Sequence, residues 1–158
     1  MTDPITYLQI LSRWVHVGTA IVILGGSVFM RFVLMPAAQP LPETEHNALR
    51  ERLLGRWKLF VHIGVLLFLV TGFYNYLAVS VPRLADDPQL ADKKGLYHGL
   101  MGVKIILSVA VFFLAEALVG RSAALEGFRR DRRKWLGVTV LLAALVVAIA
   151  GALKVLVK

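Results

Sequence analysis

Four long runs of apolar residues dominate the chain, and short polar connections separate them. The runs cover about residues 5–35, 57–81, 95–119 and 135–155. A helix needs ~20 residues to cross the hydrocarbon core of a bilayer, so each run is long enough to span it. No run alternates between apolar and polar residues with period two, which argues against a β-barrel. The pattern predicts an all-α integral membrane four-helix bundle, with residues 1–158 forming a single transmembrane domain.

Prolines mark the ends of the first two apolar runs. Pro36 is followed by two further prolines before the polar stretch that begins at Glu43, and Pro82 follows the second run directly. Because proline removes a backbone donor and its ring clashes with the preceding turn, we expect each helix to end just before its proline. The polar stretch from Glu43 to Lys58 is predicted to form an amphipathic helical approach to the second span.

The composition agrees with a membrane protein. Hydrophobic residues make up 58% of the chain and the mean hydropathy is +0.70, whereas soluble domains contain about 45–50% apolar residues. The sequence contains no cysteine, which excludes disulfides, thiolate metal sites, c-type haem attachment and cysteine nucleophiles. No basic segment precedes the first run, which is also too long for a signal-peptide core, so we expect no cleavable signal peptide.

The basic residues predict how the chain is oriented. The net charge of +8 would suggest a nucleic-acid partner in a soluble protein, but here the basic residues cluster at the ends of the apolar runs. We therefore expect a lipid bilayer as the partner and no nucleic acid. One side of the membrane would carry Arg31, Arg50, Arg52, Arg56, Lys58, Arg121, Arg129, Arg130, Arg132, Arg133 and Lys134, and the other Arg13, Arg83, Lys93, Lys94, Lys154 and Lys158. The richer side stays cytoplasmic, so both termini are predicted to lie on the outer (periplasmic) side of a bacterial-type inner membrane.

Ionisable side chains inside the apolar runs are the candidates for function, because such groups are costly to place in a membrane. They are His16 in the first run, His62 in the second, and His98 and Lys104 in the third. The first and third helices run in the same direction, and His16 and Lys104 lie equally far from plausible helix starts. We therefore expect these two at similar depth in the outer half, His98 slightly shallower, and His62 in the inner half.

These groups suggest a b-type haem. Such a haem needs one or two axial ligands, usually histidine, from facing helices around a dry apolar slot. His16 is the firmest candidate ligand, with either His98 or Lys104 opposite it, since a neutral lysine amine can also ligate iron. His62 would be a ligand only if a second haem is present, so the prediction is one haem b or two.

Two arginines could serve the haem propionates, with Arg13 placed for an outer site and Arg31 for an inner one. The predicted role is one-electron transfer, or oxidation of a lipid-soluble reductant such as a quinol or a porphyrinogen. The haem would supply the chemistry, and the protein would set its potential and access. Whether the chain is an enzyme, a membrane oxidoreductase, stays open at this point.

Two other classes of function remain open from the sequence. Copper suits imidazole and thioether ligands, and His98 and Met101 have helical i, i+3 spacing, although the methionines form no cluster. A cofactor-free structural or assembly subunit is the third class, and the intramembrane ionisable groups argue against it. The spacing of Gly95 and Gly99 allows close helix contact, within the bundle or in a homo-oligomer.

Short motifs in the first three runs resemble the membrane domain of copper resistance protein D (CopD) and its stand-alone relatives, which are linked to copper uptake. The motifs are Trp14-Val15-His16, Gly25-Gly26, Arg31-Phe32-Val33, Arg56-Trp57, Thr71-Gly72-Phe73-Tyr74 and the stretch from His98 to Lys104.

The same scheme is similar to the HemJ-type protoporphyrinogen oxidases. Those are four-helix membrane proteins with a histidine on helix one, an arginine at its end and a lysine on helix three. His16, Arg31 and Lys104 match these positions. The resemblance implies haem b at the histidine and the lysine.

Overall fold

Four long helices form the structure, a computed structural model that describes residues 4–156 (for Gln89, the backbone alone). They are α1 (Pro4–Ala38), α2 (Glu43–Asp86), α3 (Leu90–Val119) and α4 (Arg132–Leu156). Each is long and apolar enough to cross a membrane, and the described residues contain no strand. The predicted four-helix, multi-pass architecture is thus confirmed for this range. The two chain ends, residues 1–3 and 157–158 with Lys158, lie outside it.

The long helices are not α-helical throughout. Regular α-helix covers Pro4–Phe29 and Met35–Ala38 in α1, Glu43–Tyr74 and Val81–Asp86 in α2, Lys94–Val119 in α3, and Arg132–Leu156 in α4. Wider π-helical segments occupy Met30–Leu34 and Asn75–Ser80, and a 3₁₀ turn over Pro88–Lys93 leads into α3. A 3₁₀ turn, Ala123–Leu125, and a short helix, Glu126–Arg130, connect α3 to α4.

The prediction that Pro36 and Pro82 end their helices is wrong. Each proline instead lies within the first turn of a short α-helical piece that follows a π segment. In the π segments the backbone N–H of Met35 bonds to the carbonyl of Met30, and that of Val81 bonds to the carbonyl of Tyr76. This i to i−5 pairing widens the turn before each proline, which relieves the clash that a proline ring makes with a regular α-helix.

The helices form a ring in which each packs against its neighbours in sequence. The tightest pairs are α3 with α4 and α1 with α2, and α1 also contacts α4 to close the ring. Gly26 lies against the Trp57 ring and Gly64 against the Ile23 side chain, so two glycines let α1 and α2 approach closely. Because each helix contacts its two neighbours in the ring, α1 lies opposite α3 across the centre of the bundle.

Side-chain polarity follows the pattern of a protein surrounded by lipid. Large apolar side chains point outward, including Ile21 and Ile106, which are 69% and 71% exposed. The buried residues include several small hydroxyl side chains, and four of these donate to the carbonyl four residues earlier in their own helix. These four are Thr19, Ser27, Thr71 and Thr139. Backbone carbonyls thus satisfy these four hydroxyls where water is excluded.

Candidate cofactor cavity

A cavity of about 410 Å³ lies between the four helices. Most of its wall is apolar and aromatic, with Phe68 from α2 and Phe112 from α3 stacked at 5.6 Å between ring centroids. The polar groups in the wall are few, and two of them, His16 and Lys104, were predicted site residues. An apolar pocket with a few convergent polar groups is the usual form of a cofactor site, and about 300–1,000 Å³ is the usual volume.

His16 lies half-buried in α1, on the stripe with Ala20, Ile23 and Ser27 that lines the cavity. Its ring meets Phe68 edge-on, with 5.2 Å between centroids. Its Nδ1 atom lies 2.8 Å from the hydroxyl oxygen of Thr71 on α2. The imidazole is therefore held by an aromatic contact on one side and by a hydrogen bond at Nδ1.

The Thr71 hydroxyl determines which nitrogen of His16 carries the proton. Thr71 donates its own hydrogen to the carbonyl oxygen of Leu67, so its oxygen can only accept from the imidazole. The His16 Nδ1–H is therefore the donor, and the neutral ring keeps the lone pair on Nε2. This arrangement is typical of metal-ligating histidines, whose second nitrogen is held by an outer hydrogen bond.

Lys104 reaches the same cavity from α3, the helix opposite α1. It is half-buried. The described residues of the cavity wall include no carboxylate. The amine thus lacks the ion-pair partner that usually accompanies a lysine in a membrane interior, and the predicted depth match of His16 and Lys104 corresponds to a shared cavity.

His98 and His62 lie outside the described wall of this cavity. His98 is exposed, and its Nδ1 is hydrogen-bonded to the Tyr76 hydroxyl at 2.9 Å. His62 is also exposed and forms a pair with Glu116 of α3, with Nδ1 to carboxylate distances of 2.7 and 2.8 Å. The structure therefore places His16 and Lys104 in one cavity wall. His98 and His62 are instead each hydrogen-bonded to another side chain.

The two arginines proposed for propionates occupy different environments. Arg13 is exposed, one helical turn before His16 in α1. Arg31 is half-buried near the other end of α1, where its guanidinium lies 5.3 Å from the centre of the Phe32 ring. Because α-helix rises ~1.5 Å per residue, Arg31 lies ~22 Å along the axis from His16, so one haem on His16 cannot reach it.

Sequence reasoning missed three residues of this region. Thr71 orients His16, Tyr76 binds His98, and Arg132 lines the cavity at its far end. Thr71 and Tyr76 are ordinary residues of an apolar helix, and only the packing of α2 on its neighbours identifies their partners. The described residues include no group of three or more His, Cys, Asp or Glu side chains that could hold a metal ion.

Comparison with known proteins adds no assignment, since no family model, curated protein or solved structure matches the chain.

Proposed function

We propose that the chain is a b-type haem protein of a membrane redox system, in which His16 and Lys104 would hold the haem iron. The observation that carries the proposal is the Thr71–His16 hydrogen bond, which leaves Nε2 of an intramembrane histidine free to bind iron. Haem supplies the equatorial nitrogens itself, so it needs only one or two donors from the protein. The cavity offers that number, on two facing helices.

The donor set favours one haem over two. His16 is the sole imidazole among the described residues of the cavity wall. His98 and His62, which lie outside the described cavity wall, are already hydrogen-bonded to Tyr76 and Glu116. We therefore assign the ligand pair to His16 and Lys104, and we do not place a second haem at His62.

The cavity volume suits a cofactor but leaves little room beside it. At about 410 Å³ it lies in the lower part of the range for small-molecule sites. The apolar wall, with the rings of Phe68 and Phe112, would hold the haem away from water. A lipid-soluble reductant such as a quinol or a porphyrinogen would reach it from the bilayer.

Each nearby residue has a definable task. A bound haem would supply one-electron oxidation and reduction at its iron. Thr71 keeps the His16 ring in one tautomer and orientation. The apolar wall excludes water, and Arg13, one turn from His16, is placed to bind a propionate where the helix meets the membrane surface.

We also propose that the chain lies in a bacterial-type inner membrane with both termini on the periplasmic side, as a relative of the CopD and HemJ-type membrane proteins. The arginine-rich connection before α4 supports this orientation through the positive-inside rule. The role is electron transfer or, as a membrane oxidoreductase, oxidation of the lipid-soluble reductant.

The visible spectrum of the protein purified in detergent tests the proposal. We expect a Soret band, with α and β bands that sharpen after dithionite. His16→Ala should abolish or strongly alter these bands, whereas His98→Ala is the matched control and should leave them unchanged. A colourless protein that carries copper by elemental analysis would refute haem binding and favour a copper-handling function. Loss of the bands in the His98 variant alone would refute the ligand assignment.

A further inference from the structure

A second, shallow pocket of about 490 Å³ lies at the end of the bundle where α1 ends and α4 begins. It is lined by Arg31, Arg130, Asp131, Arg133 and Lys134, and we call it the basic pocket. Its wall carries four cations and a single carboxylate. Excess charge at a helix end is normal in a membrane protein, so the basic pocket requires evidence beyond its composition.

That evidence is a buried guanidinium donor in the wall. Within residues 4–156, Nε of Arg31 is buried without a hydrogen-bond partner. A buried charged donor without an acceptor is costly, so the site calls for one. Nη1 of Arg129, beside the wall residue Arg130, and Nη1 of Arg132, in the wall of the cavity between the helices, are likewise buried without a partner.

Local contacts hold two of these guanidinium groups in place. Arg31 lies over the Phe32 ring, and its Nε is 3.5 Å from the position that a side chain at Gly137 would occupy. Arg31 thus lies in van der Waals contact range of α4 at Gly137. Arg129, beside the wall residue Arg130, donates from Nη2 to the carbonyl of Ser122 at 2.7 Å, which fixes the short helix next to the pocket.

We propose that the basic pocket binds the phosphodiester headgroup of an anionic phospholipid. Phosphate oxygens match the fork of donors that a guanidinium presents, and several oxygens can serve several arginines. The pocket lies where membrane-length helices end, which is the level of lipid headgroups. Asp131, the one acidic residue of the wall, can accept hydrogen bonds from the hydroxyl groups of a glycerol headgroup.

Thermal unfolding of the full chain in detergent tests this site, with phosphatidylglycerol, phosphatidylcholine or inorganic phosphate added in separate arms. We expect a saturable rise of the melting temperature with phosphatidylglycerol, at concentrations about tenfold below those at which phosphatidylcholine acts. Equal effects of the two lipids would overturn the proposal. A rise with inorganic phosphate as large as that with phosphatidylglycerol would show a free-anion site instead of a lipid site.

Variants distinguish lipid binding in the basic pocket from a general effect of positive charge on the melting temperature. Arg133→Gln changes an exposed side chain of the wall, so the chain should still fold, and it should weaken the phosphatidylglycerol effect about tenfold. Arg31→Gln should weaken it similarly. Arg121→Gln removes the same charge from an exposed position outside the pocket wall and is the matched control. Equal loss in Arg121→Gln and Arg133→Gln would overturn the assignment. Haem content does not enter this readout.

Discussion

Replacing Thr71 by valine isolates the hydrogen bond on which the haem assignment depends. The two side chains have nearly the same shape, so the packing of α2 on α1 should survive while the hydroxyl is lost. In the structure this hydroxyl lies 2.8 Å from Nδ1 of His16 and holds the proton there. Without it the neutral imidazole has no partner that favours the Nδ1 tautomer, and the fraction with Nε2 free to bind iron falls.

The expected magnitude follows from the geometry of this contact. A hydrogen bond of this kind contributes about 0.5–1.5 kcal/mol to folding, and loss of the partner that orients a metal-ligating histidine reduces affinity about 10- to 100-fold. Thr71→Val should therefore weaken haem binding by one to two orders of magnitude with a much smaller loss of stability. Haem titration of the apoprotein, followed at the Soret band, measures the affinity, and thermal unfolding measures the stability.

Serine at position 71 is the control, because it keeps the hydroxyl and its bond to the carbonyl of Leu67. Thr71→Ser should bind haem with nearly the wild-type affinity. If Thr71→Val and Thr71→Ser bind haem equally well, the tautomer argument is refuted even if His16 is a ligand. If Thr71→Val unfolds the apoprotein, the hydroxyl matters for packing and not for the ligand.

Three further experiments test the site and the packing. Lys104→Leu removes the amine and offers no donor atom in its place, so it should convert a low-spin haem to a high-spin one, which electron paramagnetic resonance detects; an unchanged spin state would exclude Lys104 as a ligand. Gly26→Ala brings a methyl group into the tryptophan ring on α2 and should lower the free energy of unfolding by about 1–3 kcal/mol, whereas Gly25→Ala, whose side chain meets open space, should not. His62→Gln and Glu116→Gln should show a coupling of about 0.6–1.7 kcal/mol in a double-mutant cycle, as hydrogen bonds between membrane helices do, and neither should change the haem spectrum.

The four spans could be predicted from sequence because membrane length leaves a strong signal in hydropathy. The ends of the first two helices could not. Proline usually ends a helix, and only the i to i−5 bonds at Met35 and Val81 show that a wide turn makes room for Pro36 and Pro82. Backbone geometry of this kind depends on packing that hydropathy does not record.

Part of the candidate site was also accessible from sequence. Counting residues from the helix starts places His16 and Lys104 at the same depth, and the structure puts both on one cavity. Depth alone could not show that His98, at a similar depth, lies outside the described cavity wall and bonds to Tyr76. Rotation about the helix axis decides which side chain enters the centre, and that rotation is set by contacts between helices, such as Gly26 with Trp57.

The π segment Met30–Leu34 divides α1 into two parts with separate angular registers. A π turn contains more residues than an α-helical turn. The segment can therefore be described as an α-helix into which one residue has been inserted. Deleting one residue there would return α1 to regular geometry and leave the helix on either side in nearly its present register. His16, before the segment, would keep its place, whereas Arg31, inside the segment, would change its angle toward the basic pocket. An ancestral change of length at this point could therefore have altered the anion site without disturbing the histidine.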